Sequence, residues 1–532
     1  MTMLWSDIAL LLALVAIVVG WLSVSTSRLR ILVVLAPLAA ACAGAASIYQ
    51  GRLLAVVGLG VALVFLALGL LVMFGLGNRR LVSRAWRWPI AVTAILTASI
   101  AALPLLSFHA RVPLPAPGGS YSIGVRDIVV VDAARGSDWN ASGASPRRIL
   151  ARIWFPASRV SGAPELMSNA AETRASRQFE ERSGQGLASA VTASQSITPT
   201  HSHRDAVPAE GRFPLVLFSP GYLMPVSSNT SLMEHLASNG YVVVSFAHPN
   251  ETQGVVLPDG EPQAPPEELM QFMSAIQAQQ DFTRFVDMNG LRAGEVTQRR
   301  RLVEWFFANE IVTQRGPIWI EDFGSVYRGL QAQAAAPTAP DVLAHVDFER
   351  VGFAGHSLGA LAAAAACEVE PACIAAAAME VGSGPPAMDD RLFPKPLLVL
   401  DGELQGARLG GQDFTYERHC EAGLTDRVHR VHFVGAEHND FTDFALLARD
   451  EFRANVPFPL FGRSSGRDLI RVENNLVSGF FDQYLRGAAG DFPRPQLTGQ
   501  TIARVPDLSV LREWANRSHA CDSEADQAPP PQ

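Results

Sequence analysis

Four apolar runs dominate the first 107 residues of the 532-residue chain: Ile8–Val24, Ile31–Tyr49, Leu53–Leu76 and Ile90–Ser107. Each run is close to the roughly 20 residues that an α-helix needs to cross a bilayer. Short links that carry arginine separate the runs, which is typical of a multi-span membrane domain and not of a signal peptide or of buried core helices. We therefore predict a transmembrane anchor of four helices in residues 1–107.

The arginines of this segment are unevenly divided among the links. Six of them lie in the links after the first and third runs, whereas the middle link has only Arg52 and the amino terminus has none. Because positively charged links stay in the cytoplasm, both chain ends are predicted to lie outside it. The expected location is the bacterial inner membrane, with the large carboxyl-terminal part in the periplasm. No ionisable residue lies in the middle of a run, which indicates an anchor rather than a transporter.

The hydrophobic pattern changes in residues 108–532, which we predict to be one catalytic domain. A linker rich in Pro and Gly, 108–120, leads into strand-like runs that alternate with helical ones, as in Phe213–Ser219, Leu232–Asn239, Tyr241–Phe246, Val351–Phe353 and Pro396–Leu400. This alternation predicts an α/β fold with a mostly parallel sheet and helices on both faces. Residues 265–333 are helical and amphipathic, and they predict either a cap over the active site or a further layer on the sheet.

The charge and the cysteine content narrow the range of possible partners and cofactors. Residues 1–107 hold one acidic residue and seven arginines, so the remainder has 36 basic and 50 acidic residues and a formal charge of −14. A net negative charge argues against a nucleic-acid partner, because binding to phosphates requires positive charge. Four cysteines lie in the part predicted to be extracytoplasmic, where disulfides persist; a Cys367–Cys373 bridge is one pairing among several, and Cys420 and Cys521 are the other two. No spacing resembles a zinc site, and neither a metal nor a cofactor is predicted.

The stretch Val351–Ala360, VGFAGHSLGA, is the strongest catalytic motif in the chain. A buried strand is followed by Gly-x-Ser-x-Gly and then by an alanine-rich helix, which is the context of a nucleophile on a sharp strand-to-helix turn. The two glycines allow the turn and the close packing of strand on helix. Ser357 is therefore the predicted nucleophile.

A serine nucleophile needs a histidine base and a carboxylate that orients the base. His438 lies in a loop directly after the strand-like Val428–Val434, and it is favoured over the other histidines that follow the serine, which are His419, His429, His432 and His519. Glu380 and Asp401 each end a strand on the same edge of the sheet as Ser357, so position alone leaves both open as the acid. Asp440 and Asp443 lie too close to His438 and are more suited to capping the helix that follows.

Two main-chain N–H groups are expected to bind the oxyanion of the tetrahedral intermediate. One belongs to Leu358, the residue after the nucleophile. The other should come from the loop after the Phe213–Ser219 strand, which indicates Tyr222.

Several segments resemble the platelet-activating factor acetylhydrolases of the plasma and type II kinds and their bacterial relatives, which are α/β-hydrolases. They are PGGSYSIGVRDIVVVD (117–132), RRILARIWFPAS (147–158), FPLVLFSPGYL (213–223), LASNGYVVVSFAHPN (236–250), ERVGFAGHSLGA (349–360) and FVGAEHNDFTDF (433–444). The resemblance covers most of residues 113–486. It implies an α/β-hydrolase fold, a triad acid at Glu380, where that family usually has Asp, and oxyanion donors at Tyr222 and Leu358. Pro220 is a second departure, since the family commonly has His there.

These observations predict a membrane-anchored serine ester hydrolase with the triad Ser357, His438 and Glu380, and with Asp401 as the alternative acid. The resemblance implies an ester or lipid substrate with a short or oxidised acyl chain. The residues alone fit a generic carboxylesterase, a lipase or a polyester hydrolase equally well. An acyltransferase and a non-catalytic membrane scaffold on a hydrolase fold are the alternatives from other classes.

Overall fold

The computed structural model describes residues 3–24, 30–74, 84–137, 142–183, 186–269, 271, 311–380, 393–402, 427–456 and 461–505. Of the predicted features, His419, His519, Cys420 and Cys521 lie outside these ranges, and so do residues 270 and 272–310 of the insertion. So do Arg28, Arg79 and Arg80 of the two arginine-rich links.

Four apolar helices form the amino-terminal part: α1 (Trp5–Leu22), α2 (Leu32–Tyr49), α3 (Val56–Met73), which a single turn at Leu53–Ala55 precedes, and α4 (Arg84–Ser107). Each contains a segment long and apolar enough to cross a membrane. The helices pack as a bundle around a shared core that includes Leu14, Trp21 and Phe65. The four helices thus lie where the apolar runs predict them.

Small residues allow α2 and α3 to approach closely. A Cβ atom built on Gly69 would lie 1.9 Å from the carbonyl oxygen of Val33, so only glycine fits at this contact. Close backbone approach at small residues is a common way for apolar helices to associate when the hydrophobic effect does not drive them together.

The carboxyl-terminal part is built on a sheet that contains eleven strands within the described ranges. Its long strands are β1 (Ser122–Gly136), β2 (Pro146–Ser161), β5 (Phe213–Ser219), β6 (Val242–Phe246), β9 (Val346–His356), β10 (Cys373–Met379), β11 (Leu397–Asp401) and β12 (Val428–Phe433). The short ones are β3 (Ser202–His203), β4 (Asp205–Pro208) and β13 (Ala503–Arg504), and β7 (Val255–Val256) and β8 (Pro262–Gln263) pair separately.

The strand order is β3-β1-β2-β6-β5-β9-β10-β11-β12-β13, with β4 paired to β2. The six strands from β6 to β12 are mutually parallel, whereas β1 and β2 form an antiparallel pair beside them. The predicted mostly parallel sheet is therefore confirmed. Because the strands are parallel, β5, β9, β10, β11 and β12 all end at the same edge.

Helices cover both faces of the sheet. One face carries α8 (Ile311–Ala334) and α9 (Leu358–Val369), and the other carries α7 (Thr230–Ser238) and α11 (Gly466–Arg486). Shorter helices complete the domain: α5 (Ala170–Arg182), α6 (Gly186–Thr192), α10 (Asp450–Asn455), α12 (Arg494–Leu497) and 3-10 turns at Ala193–Ile197, Asp341–His345, His438–Phe441 and Asp443–Leu446.

The described part of the insertion at 265–333 packs on the sheet. In α8, Trp319 and Phe323 are buried in the same core as Phe246 and Phe353 of the strands. For residues 311–333 the structure thus agrees with the alternative of a further layer.

Residues 108–120, predicted as a linker, are held against the domain. Phe108 forms an antiparallel bridge with Ala448, and the N–H of His109 donates to the carbonyl oxygen of Leu447 at 2.9 Å. The N–H of Arg449 in turn donates to the carbonyl oxygen of Ser107 at 2.8 Å. The fourth helix therefore ends in a clamp on residues 447–449, which a count of prolines and glycines could not reveal.

A disulfide bond between Cys367 and Cys373 joins the end of α9 to the start of β10. It is one of the pairings that the sequence analysis left open. Beside it, Lys395 donates from Nζ to the carbonyl oxygens of Cys367 and Glu370. The disulfide and the lysine together fix the end of the helix that follows Ser357.

We expect Gly69→Ala to lower the thermal stability of the bundle, because the new methyl group forces α2 and α3 apart. Overpacking of this kind costs on the order of 1–3 kcal/mol. Thermal unfolding in detergent micelles measures the change. Gly60→Ala is the matched control, since a Cβ atom at Gly60 of the same helix meets nothing within 4 Å. Equal stability of the two variants would show that the contact is not tight.

Candidate active site

Ser357 lies on the turn between β9 and α9, and two glycines make that turn possible. A Cβ atom on Gly355 would lie 2.3 Å from the main chain of Gly359, and one on Gly359 would lie 2.2 Å from the carbonyl oxygen of Ser219. Ser357 has a φ of 56°, a left-handed conformation that a non-glycine residue adopts rarely. Its N–H donates to the carbonyl oxygen of Met379 at 2.9 Å. The strained turn lifts the Ser357 side chain to the carboxyl edge of the sheet.

The structure brings Ser357, His438 and Glu380 together. Nε2 of His438 lies 3.0 Å from Oγ of Ser357, and Nδ1 lies 3.2 Å from Oε2 of Glu380. Glu380 is fully buried directly after β10, and its Oε1 accepts a hydrogen bond from the N–H of Gly402. Because Glu380 accepts at Nδ1, the proton of a neutral imidazole resides there, and Nε2 is left to accept from the serine hydroxyl.

Asp401, the alternative acid, lies at the end of β11 but has other partners. Its Oδ2 accepts from Nε of Arg430 at 2.6 Å, and its Oδ1 lies 2.8 Å from Nδ1 of His432. Both partners come from the neighbouring strand β12. His432 thus has a hydrogen-bond partner within the sheet, and the ring of His429 also has a partner, since its Nε2 lies 2.8 Å from the hydroxyl of Tyr484.

The loop after β5 runs beside the serine. A Cβ atom on Gly221 would lie 3.4 Å from Cβ of Ser357, so the main chain that leads into Tyr222 is adjacent to the turn that carries Ser357. Leu358 is the first residue of α9, where the N–H groups have no partner within the helix. The structure thus places both predicted oxyanion donors, Tyr222 and Leu358, in segments that adjoin Ser357.

His356 is a residue that the sequence analysis did not single out. It is fully buried, and its Nε2 donates to the main-chain carbonyl oxygen of His438 at 2.8 Å. Burial, together with the nearby His438, lowers the pKa of His356 to about 3, so the ring is neutral. His356 therefore ties the backbone of His438 to strand β9, which leads into Ser357. Its place between Gly355 and Ser357 in the motif was the only signal for it.

A second Ser–His–Asp series, also missed in the sequence, lies beneath the loop after β5. Oγ of Ser219 is 2.9 Å from Nε2 of His248, and Nδ1 of His248 is 2.7 Å from Oδ2 of Asp322. All three side chains are fully buried, and Arg147 forms a two-point ion pair with Asp322. Burial lowers the pKa of His248 to about 4. A buried series of this kind has no access to substrate, and it fixes the end of β5.

Helix α8 holds the same loop from its other side. The Trp319 ring stacks on His248 at a centroid distance of 3.6 Å and contacts the Tyr222 ring at 5.9 Å. Nε1 of Trp319 donates to Glu251, whose carbonyl oxygen accepts from the N–H of Leu223. Leu223 has a φ of 58°. The loop that carries Tyr222 is therefore held in an unusual conformation from both sides.

Asp440 and Asp443 stabilise the segment that carries His438, and Asp440 takes part in a capping box with Glu437 at the start of the 3-10 turn His438–Phe441. Asp440 accepts from the N–H groups of Glu437 and Gly462 and pairs with Arg453. Asp443 accepts from the N–H of Ser231, near the start of α7. Burial raises the pKa of Asp443 to about 7, although hydrogen bonds from Ser231 oppose the shift.

Within the described ranges, no group of three or more His, Cys, Asp or Glu side chains is arranged to hold a metal ion.

No protein-family model matches the sequence, and no curated protein matches it. Among solved structures, the ferulic acid esterase from Streptomyces cinnamoneus is similar, with a TM-score of 0.50 and 21% sequence identity over 74% of this chain and 99% of that one. The fold is shared with an esterase. The resemblance to platelet-activating factor acetylhydrolases stays a prediction.

We expect Asp443→Asn to stabilise the protein at alkaline pH. The pKa of the carboxyl rises from its ordinary 3.8 to about 7 on folding, so the cost of ionising it appears as the pH rises above about 4 and is complete above about 7. The neutral amide still accepts from Ser231 and avoids that cost, which we put on the order of 4 kcal/mol.

Chemical denaturation between pH 4 and pH 9 measures this difference. The gain should be largest at pH 8 to 9 and vanish near pH 4. Asp491→Asn, at an exposed carboxylate in an ion pair with Arg494, is the control. A gain that does not change with pH would contradict the expected titration of Asp443.

Proposed function

We propose that this chain is a membrane-anchored serine ester hydrolase of the α/β-hydrolase kind. The observation that carries the proposal is the series of hydrogen bonds from Ser357 through His438 to the buried Glu380, on a strained turn at the carboxyl edge of the sheet. The fold shared with an esterase agrees with this activity.

In the proposed reaction, Oγ of Ser357 attacks the ester carbonyl while Nε2 of His438 takes its proton. Glu380 stabilises the resulting imidazolium through Nδ1–H, in a site where burial strengthens their attraction. The N–H groups of Tyr222 and Leu358 bind the oxyanion. His438 then protonates the leaving alcohol, and water hydrolyses the acyl-enzyme with the same histidine as base.

The hydrogen bond from the ring of His356 to the main-chain carbonyl oxygen of His438 fixes the backbone of the proposed base. His438 must keep its position between Glu380 and Ser357 during the reaction. The hydrogen bond to His356, the residue before the nucleophile, restrains it there. We propose that His356, Trp319 and the Ser219–His248–Asp322 series act as positioning residues rather than as catalytic ones.

The substrate class rests on sequence resemblance. We propose esters with a short or oxidised acyl chain, with phospholipids among them, because the matching segments include the nucleophile turn, the loop at Tyr222 and the segment after His438.

Several features support membrane anchorage. The outer surface of the bundle carries apolar side chains such as Leu12, Val64 and Ile100, which in water would form a large exposed apolar patch. Exposed tryptophan and tyrosine lie at both ends: Trp5 and Tyr49 at the end next to the catalytic domain, and Trp86 and Trp88 at the other. Such aromatic belts mark the two membrane–water interfaces.

The proposed orientation follows from the same bundle. Arg30 and Arg84 lie at the end remote from the catalytic domain, together with Trp86 and Trp88. Since arginine-rich links favour the cytoplasm, the catalytic domain is proposed to face the periplasm of the inner membrane. The Cys367–Cys373 disulfide agrees with an oxidising compartment.

We expect Ser357→Ala to lower the turnover of p-nitrophenyl acetate by about 10³-fold or more, because no other group replaces the nucleophile. Ester hydrolysis by the purified full chain measures the loss, and circular dichroism checks that the variant is folded. Ser145→Ala, at an exposed serine, is the control. Undiminished turnover in Ser357→Ala would refute the proposal.

The acid can be identified by comparing Glu380→Gln with Asp401→Asn. Glu380→Gln should lower kcat by about 10²- to 10⁴-fold, since the imidazolium loses its counter-charge and the histidine its tautomer. Asp401→Asn should keep most of the activity but lower stability, because Arg430 remains buried with a neutral partner. The opposite result, with the activity lost in Asp401→Asn, would assign the acid to Asp401.

A further inference from the structure

The contact between the helical bundle and the catalytic domain contains a concentration of basic side chains. The first of these side chains is Arg52. Its guanidinium donates to the carbonyl oxygens of Phe108 and His109 and forms an ion pair with Asp7 at 3.3 Å. Arg52 thereby satisfies carbonyl groups at the end of α4, and its charge is balanced. His109 and Arg449 lie beside it in the clamp that joins the fourth helix to residues 447–449.

Arg449 differs from Arg52 in that part of its side chain has no partner. Its Nε and Nη2 are buried, and neither makes a hydrogen bond within the part of the chain that the structure describes. These two atoms form one edge of the guanidinium, and their parallel N–H groups are the pair that holds two oxygens of a phosphate or carboxylate at once. Buried donors of this kind are costly when unpaired. The unsatisfied edge of Arg449 therefore indicates a ligand with two oxygens.

His109 lies within electrostatic reach of the same charge. Its ring nitrogen Nδ1 is also buried without a partner among the described residues. Burial, followed by the charges of Arg449, Arg467 and Arg52, lowers the pKa of His109 to about 4, although Asp450 opposes the shift. Asp450 is engaged elsewhere, with Ser465 and the N–H of Gly466. The potential around His109 is thus positive, which suits an anion.

The position along the bundle identifies the source of such an anion. Trp5 at the start of α1 and Tyr49 at the end of α2 are 74% and 93% exposed, and they mark the interface next to the catalytic domain. Ser6 bonds to Gln50 across these two helix ends, and Arg52 bonds to His109, so the aromatic side chains and the basic cluster share this end of the bundle. Lipid headgroups occupy this layer of a bilayer.

We propose that Arg449 and His109 form a binding site for a phosphoryl group, and that a phospholipid headgroup supplies it. Arg449 holds two phosphoryl oxygens through Nε and Nη2, and the exposed Arg467 adds positive charge at the rim. The lipid acyl chains then lie along the apolar surface of α4. This site is distinct from Ser357, and it rests on the proposed membrane anchorage but not on the proposed hydrolase activity.

The full chain, purified and delipidated in dodecyl maltoside, provides the test by thermal unfolding. Phosphatidylglycerol should raise Tm by about 5 °C at saturation. Diacylglycerol with the same acyl chains lacks the phosphoryl group and should give little or no shift. Inorganic phosphate alone distinguishes the two sources: a shift as large as that with the lipid would keep the phosphoryl site but assign it to the free ion.

Variants of Arg449 test whether the rise in Tm comes from binding at this site. Arg449→Gln should abolish the shift with phosphatidylglycerol, and Arg449→Lys, which keeps the charge and is the safer variant for folding, should reduce it because it lacks the planar two-donor edge. Arg159→Gln, at an exposed arginine of the catalytic domain, should keep the full shift. An equal shift with diacylglycerol, or a full shift in both Arg449 variants, would overturn the proposal. Carbonate extraction of membranes tests anchorage separately, and p-nitrophenyl acetate tests the hydrolase.

Discussion

The contact between Gly355 and Gly359 is the constraint from which the geometry of the candidate site follows. Strand β9 and helix α9 approach so closely there that Gly355 tolerates no Cβ atom, and Gly359 in turn packs against the carbonyl oxygens of Ser219 and Pro220 at the end of β5. The chain can make that approach only if Ser357, between them, takes a positive φ. The hydroxyl is consequently presented above the sheet edge, and the strands β10, β11 and β12 end on the same side because they are parallel to β9. The remaining groups of the site need only short loops to reach it.

The choice between two carboxylates shows how neighbouring strands decide a role. Glu380 and Asp401 end adjacent strands, and both are buried. The register places Asp401 opposite His432, and Arg430 reaches it from the same strand, so its charge is neutralised inside the sheet. Glu380 forms no ion pair with an arginine among the residues that the structure describes, and its second oxygen lies near Nδ1 of His438. A carboxylate already paired with arginine would hold an imidazolium less strongly, which is the physical reason to favour Glu380.

Much of this organisation could be predicted from the sequence. Apolar runs located the four helices, alternating runs located the parallel strands, and the motif around Ser357 located the turn, because all three depend on local patterns. The long-range contacts could not be found in this way. Nothing near Asp322 indicates that it meets His248, 74 residues earlier in the chain, beneath the loop of Tyr222. The composition of 108–120 indicated a loose connection, whereas partners 338 or more residues away, such as Ala448, hold its first residues in place.

The clamp at Ser107–His109 has a mechanical consequence. It fastens the fourth helix to residues 447–449, and the segment that begins with His438 leads directly into those residues. A helix whose apolar length differs from the thickness of the surrounding bilayer responds by tilting. If the bundle spans a membrane as proposed, a tilt of this helix would be transmitted through these hydrogen bonds to the segment that carries His438. In an anchored enzyme of this design, the thickness of the surrounding bilayer would therefore become a determinant of how well the catalytic groups are aligned.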